Sequence, residues 1–406
     1  MWAIFSIALL LRLAFFFHHQ AQGWQLQHDP SLYLALADGI GKGVFSMFHP
    51  LEIPETTRMP GYPFLIHVIG SIPALLILQA MISSLKVPVA FSIGKLWGLK
   101  GRALLLPPVL IAIAPLDIIL AGNLLTEPVF TTLIFAALFY IMRMKNVQDL
   151  VLVALCFAAA AYIRPNGLLI ASIVVAFLFF RAAGSRSRAI ALAVLIILLI
   201  LPWLLRDHRL DGRFQLSDSA TVVAAHFHVP EVLVLAGDPD AAGYRSHLRD
   251  LASATNWSDR GEMRSYFETL DQEVKNVFFD HPIEWTIVQL KKAVLIAIAP
   301  GSGHIQKHFG SGWIGNAILA VSAIFSFLVI AIMVGVVIHF RRMKWPQWSF
   351  FILIITIIFT SAISTADSRF RDPAMPLLLL LGGWLLQQWR SRSITDRENA
   401  PVSPSS

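Results

Sequence analysis

Six short segments carry polar side chains suited to chemistry, and each stands beside proline in a chain that is otherwise strongly apolar. His28-Asp29-Pro30 puts a carboxylate just ahead of the residue favoured at the first position of a helix. A carboxylate there can serve as a helix cap or as a general base, and the two roles are compatible because a cap points away from the helix end. Arg58-Met59-Pro60-Gly61-Tyr62-Pro63 holds an arginine, with Tyr62 close behind it, at a rigid turn. The guanidinium offers a planar fork of donors that matches a phosphate. Thr126-Glu127-Pro128 opens an apolar run with an acid, where a helix N-terminus favours one. Ile163-Arg164-Pro165-Asn166-Gly167 interrupts two apolar runs and leaves Arg164 at membrane depth, where it needs an anionic partner. Pro202-Trp203-Leu204-Leu205-Arg206-Asp207 closes another run, and Arg369-Phe370-Arg371-Asp372-Pro373 opens the last one, with Asp367 and Asp372 at hand as partners. Arginines that hold a phosphate at the membrane surface, together with a base such as Asp29, point to group transfer from a lipid-linked phosphate.

The elements that must position these residues follow from composition. Of 406 residues 56% are hydrophobic and only 14% charged, with a mean hydropathy of +0.66. A soluble domain carries about 25% charged residues, so this chain requires a bilayer. Its 28 Phe and 11 Trp suit lipid-facing and interfacial positions. The net charge of +7 does not signal nucleic acid, because the basic residues punctuate apolar runs instead of clustering on a soluble face. A single cysteine, Cys156, argues against disulfides, thiolate metal sites and Cys–His catalysis. No cleavable signal peptide is expected, since the N-terminus lacks a basic region and Arg12 interrupts the first apolar run.

The runs predict an all-α polytopic membrane protein with about ten spans (range nine to thirteen), near 2–18, 74–97, 103–121, 127–143, 148–163, 166–181, 188–205, 312–340, 347–366 and 373–390. Fourteen basic residues in one set of short loops and the tail, against five in the other set, place both termini in the cytoplasm. With that parity, 61–72 and 284–300 read as juxtamembrane helices at the outer surface; Lys291 and Lys292 in the middle of the second suit a spanning helix poorly. Four parts follow. An N-terminal transmembrane module, 1–205, carries a catalytic outer loop at 19–60. A helical outer segment covers 206–311, within which 206–283 is too small and too poor in apolar residues for an independent domain. C-terminal spans occupy 312–390, and a disordered cytoplasmic tail 391–406.

The ordered set of motifs resembles the GT-C glycosyltransferases that use polyprenyl-phosphate sugars, in particular the protein-mannosyltransferase and aminoarabinose-transferase branch. The matching residues are Asp29 with Tyr33, Arg58 to Pro63, Thr126-Glu127-Pro128, Arg164-Pro165-Asn166-Gly167, Pro202 to Arg206, and Arg369 to Pro376. The resemblance covers residues 1–390, with 206–283 matched least. It implies an inverting transfer at the outer face of a bacterial inner membrane, from a polyprenyl-phosphate-linked sugar to a hydroxyl of a lipid, glycan or protein. It implies Asp29 as the base, Arg58 and Arg164 as contacts of the donor phosphate, and Glu127 lining the same cavity; Tyr62, Arg206, Arg369 and Arg371 are further candidates. Many relatives carry Asp-Glu at the catalytic point, where this chain has His28-Asp29-Pro30. Some relatives use a divalent metal. His28, Asp29, Glu52 and Glu55 carry suitable atoms, but their spacing matches no recognised site, so no cofactor is expected. Lys86, in the middle of a span near Pro88, either pairs with a carboxylate or extends toward the interface. A transporter or flippase of lipid-linked sugars is the alternative, although that class concentrates charge at the bilayer midplane in two related halves.

Overall fold

A computed structural model describes residues 1–24, 26, 29–46, 54–181 and 183–398, and among them every regular element is helical. His28, Glu52 and residues 399–406 lie outside the described residues.

Each of the ten expected runs contains a helix. They are Trp2–Ala21; Ile72–Ser84 leading directly into Lys86–Leu96; Gly101–Ile113 followed by Pro115–Ala121; Glu127–Arg143; Val147–Ile163; Asn166–Arg181; Arg186–Asp211; Trp313–Ile338; Trp345–Ser361; and Met375–Glu398. The pair on either side of Ala114 is bent by 49°, because Pro115 removes the amide that would continue the first helix. The last helix runs on to Glu398, past the limit expected at 390. The two expected juxtamembrane helices are also present, as Gly61–Ile69 and Pro282–Ile298.

Among the described residues, five stretches are able by length and composition to cross a membrane: Trp2–Ala21, Ile72–Leu96, Arg186–Leu210, Ser219–Ala236 and Trp313–Ile338. The bent pair makes a sixth, and Val147–Ile163, Asn166–Arg181 and Trp345–Ser361 are apolar but shorter. The chain is thus a multi-pass membrane protein. Ser219–Ala236 is not among the expected spans. It packs on the helices Arg260–Asp280 and Pro282–Ile298, and with Tyr244–Ala254 it forms a hydrophobic cluster separate from the main one. Ala225, Val229, Leu233, Leu248, Phe267 and Leu270 are buried there, so the segment 206–283 has a small core of its own.

The main core binds the spans into one body, and two glycines let its polar turns close. A Cβ on Gly61 would sit 2.6 Å from the Tyr162 carbonyl oxygen, and one on Gly167 would sit 2.6 Å from the Ala161 nitrogen. Both contacts lie at the turn that carries Arg164, so side chains at these glycines would push that turn apart.

Candidate active site

Four of the residues singled out by sequence meet directly. Asp29 is the first residue of the helix Asp29–Gly41, with Pro30 in its opening turn. Glu127 and Pro128 open Glu127–Arg143 in the same way. Arg164 ends Val147–Ile163 in an extended conformation (φ −148°, ψ 133°), which Pro165 imposes on the residue before it. Arg369 lies in a 3-10 segment, Ser368–Ala374, capped by the Asp367 carboxylate, which accepts from the Arg369 amide at 2.9 Å.

Arg369 Nη2 donates to Asp29 Oδ2 at 2.9 Å. Arg164 Nη1 lies 3.0 Å from Glu127 Oε1, and Arg369 Nε lies 3.8 Å from that same oxygen and 3.6 Å from Asp367. Arg164 is flanked by the rings of Phe130 and Phe370, a cation–π arrangement that fixes its plane. The result is an alternating chain of charge: Arg164, Glu127, Arg369, Asp29. The Asp29 side chain is 30% exposed and those of Arg164 and Arg369 about 21% and 20%, so the group is reachable from outside the protein.

Tyr33, one turn after Asp29 on the same helix face, is half-buried beside this group. Burial, then the charges of Asp29 and Glu127, push its hydroxyl up to about 12, so it is neutral and able to donate. Its ring meets that of Tyr62 edge-on at 5.2 Å. Tyr62 is fully buried and donates to Gln79 Oε1 at 2.7 Å, which makes it a support for the site, one side chain removed from it.

Arg58 and Arg206 form a second group around Glu55. The Glu55 carboxylate accepts from the amides of Thr57 and Arg58 at 2.7 and 2.8 Å and from the Thr57 hydroxyl, which rigidifies the turn. Arg206 donates to the Glu55 carbonyl at 2.9 Å, pairs with Asp207 at 2.5 Å, and lies over the rings of Phe45 and Trp203. Among the described residues the Arg58 guanidinium has no carboxylate partner; its one contact is Thr57 Oγ1 at 3.4 Å. That leaves it the most available cation of the set.

Arg371 faces elsewhere. In a 3-10 helix side chains two apart diverge by about 120°, so Arg371 points away from Asp29 and donates to the Ala297 carbonyl at 2.7 Å. It lines a small cavity together with Lys86, Asp117, Ser322 and Asp372. Here lies a charge network that the sequence reading missed. Asp117 bonds Lys86 and pairs with Arg12 at 2.6 Å; Lys86 also lies 4.0 Å from Asp372, which accepts from Thr131 at 2.8 Å. Lys86 therefore pairs with carboxylates instead of extending to the interface. The available signal was a charge count: Arg12 and Lys86 in apolar runs demand an acid at similar depth, and Asp117, beside the Pro115 break, supplies it.

Among the described residues no group of three His, Cys, Asp or Glu side chains is arranged to hold an ion, and Asp29, Glu127 and Asp367 already face arginine or histidine.

Comparison with known proteins gives a fold. No family model and no curated protein matches the sequence. Among solved structures, the oligosaccharyltransferase of Archaeoglobus fulgidus, crystallised with Zn and sulfate, is similar over 96% of this chain at 17% identity and a TM-score of 0.53. This chain spans about half of it, 49% of its length. ArnT from Cupriavidus metallidurans, bound to undecaprenyl phosphate, aligns over 99% of this chain and 81% of its own at 13% identity and a TM-score of 0.45. The first likeness shows the architecture: this chain has the all-helical fold of the corresponding half of that oligosaccharyltransferase.

Proposed function

We infer that the protein is an inverting glycosyltransferase that moves a sugar from a polyprenyl-phosphate donor to a hydroxyl of a lipid, glycan or protein. One observation carries the reading: an exposed carboxylate, Asp29, is held by Arg369 within a row of arginines at the end of a membrane-embedded helix bundle. The acceptor oxygen attacks the anomeric carbon from the face opposite the phosphate. Its proton passes to Asp29, the bond from that carbon to the phosphate oxygen breaks, and the electron pair stays on the departing phosphate. Negative charge grows on the phosphate as the bond lengthens, so cations that tighten on it accelerate the step. Arg58 is the cation with donors to spare; Arg164 contributes by turning from Glu127 toward the lipid phosphate.

We place this end of the bundle at the outer face of the membrane on the asymmetry of basic loop residues, and take that membrane to be a bacterial inner membrane on the motif resemblance alone. Cysteine labelling at Ser253 from outside and at Ser185 from inside tests that sidedness. The activity is tested by incubating detergent-purified protein with a panel of synthetic prenyl-phosphate hexoses and pentoses and following release of prenyl phosphate by mass spectrometry. Release that requires Asp29, with an inverted anomeric centre in the product, is the expected result. No release from any donor, or a retained configuration, contradicts the assignment.

A further inference from the structure

Asp29 depends on a cation that is itself contested. Arg369 gives Nη2 to Asp29, but its Nε lies between Asp367 at 3.6 Å and Glu127 at 3.8 Å and hydrogen-bonds to neither. Burial alone would lower the Arg369 pKa; Glu127, Asp29 and Asp367 together outweigh it and hold the guanidinium firmly charged. Arg369 therefore carries no proton away, and what varies is which acid holds it.

Asp367 is kept from closing on that Nε by His304, whose Nε2 lies 2.8 Å from one carboxylate oxygen and 3.1 Å from the other. Burial works against the charged form of Asp367, but His304 first, then the Arg369 amide and the Arg369 charge, outweigh it and hold the carboxyl below its usual range. His304 stands on the short helix Ser302–Phe309, brought close by Gly301 at φ +77°, where a Cβ would press on Ser368 Oγ at 3.0 Å.

We propose that His304 is a positioning residue: by retaining Asp367 it leaves Arg369 to hold Asp29 where it accepts the proton. This rests on the reading of Asp29 as the base. The titratable groups on the elements packed against this relay are Lys307 and His308 on the same helix, His18 and His19 from Trp2–Ala21, Tyr33 beside Asp29, Tyr62 and His67 from Gly61–Ile69, Asp117 on Pro115–Ala121, Glu127 and Arg164 beyond Arg369, and Glu284, Lys291 and Lys292 from Pro282–Ile298; Trp313–Ile338 and Trp345–Ser361 carry none.

Without His304, Asp367 turns to Arg369 Nε and Asp29 loses part of the cation that favours its charged form. The test is an infrared pH titration of the detergent-purified full chain, in which the Asp29 carboxyl band is identified as the one lost in Asp29→Asn. His304→Ala should move its midpoint upward, His304→Gln by a few tenths of a unit because one donor to Asp367 survives, and His304→Ala with Asp367→Asn should return it to the wild-type position or below. A histidine that only docks its helix would lower yield or melting temperature, leave the midpoint in place and gain nothing from Asp367→Asn. An unmoved midpoint in His304→Ala overturns the proposal; if that variant does not fold, an unmoved midpoint in His304→Gln does so. The titration uses no substrate. A shifted midpoint alongside absent prenyl-phosphate release would therefore count against glycosyl transfer and leave the positioning role standing.

Discussion

Two clusters of the same residue types sit on opposite sides of one short 3-10 segment, and they behave as different materials. Arg369 faces the row with Asp29, Glu127 and Arg164, where side chains are about 20–30% exposed at Asp29, Arg164 and Arg369. Arg371, two residues on, faces the network of Arg12, Lys86, Asp117 and Asp372, where Arg12 is fully enclosed and Lys86 is 1% exposed. In the enclosed network each charge exists because its partner does: a lone ion there would forgo water without compensation. In the exposed row, water and a ligand can replace a partner, so pairs can open during a reaction. Access to solvent, more than residue type, separates structural charge from working charge here.

That contrast can be broken experimentally, and the largest effect lies in the enclosed network. Asp117→Ala strands Arg12 and Lys86 together in apolar surroundings, at an expected cost of about 3–5 kcal/mol. It should appear as loss of monodisperse protein in detergent size-exclusion chromatography; a normal yield and melting temperature would show that the network is dispensable. In the exposed row the loss should be kinetic. Asp29→Asn removes a general base and should slow prenyl-phosphate release by about 10² to 10⁴, while the thermal midpoint stays near wild type because the residue is part-exposed.

Arg58→Ala should be milder. A cation with no carboxylate partner supplies phosphate binding that strengthens as charge develops, so kcat and kcat/KM both fall, the latter by about tenfold or ~1.4 kcal/mol. Arg58→Lys should recover part of it, since lysine keeps the charge but not the fork. An unchanged kcat/KM in Arg58→Ala would move the phosphate contact to Arg164 or Arg206.

The smallest effect concerns pH. His308, on Ser302–Phe309 at the edge of the site, is pushed down to about 3 by burial, reinforced by His19 and Lys307. Its folded-state pKa lies below the ordinary histidine value, so the unfolded chain binds the extra proton between about pH 6.5 and 3. Stability from this group is present above that window and is lost as pH falls through it. The thermal midpoint should decline from pH 6.5 to 4.5, and the decline should flatten in His308→Gln; an identical slope would assign it to other groups.

Much of this was legible along the chain because the physics is local. Apolar runs of near-membrane length became helices, and prolines beside Asp29, Glu127 and Arg164 marked where those helices begin or end. The sequence reading could not see partners. Lys86 and Asp117 are 31 residues apart, and Asp29 and Arg369 are 340 apart. It treated Arg369 and Arg371 as equivalent, since the segment's 3-10 winding, which turns them apart, has no signature in residue type. His304 stands in no motif at all and acquires its place through Gly301 and the Asp367 cap. The hydrophobic cluster within 206–283 was missed because its apolar residues are spread over several short helices.

The most direct test sets Asp29→Asn beside wild type, measuring folded fraction and single-turnover release of prenyl phosphate on the same purified samples. The account predicts that Asp29→Asn is as folded as wild type and slower by at least about a hundredfold. A folded Asp29→Asn protein that releases prenyl phosphate within twofold of the wild-type rate would contradict it.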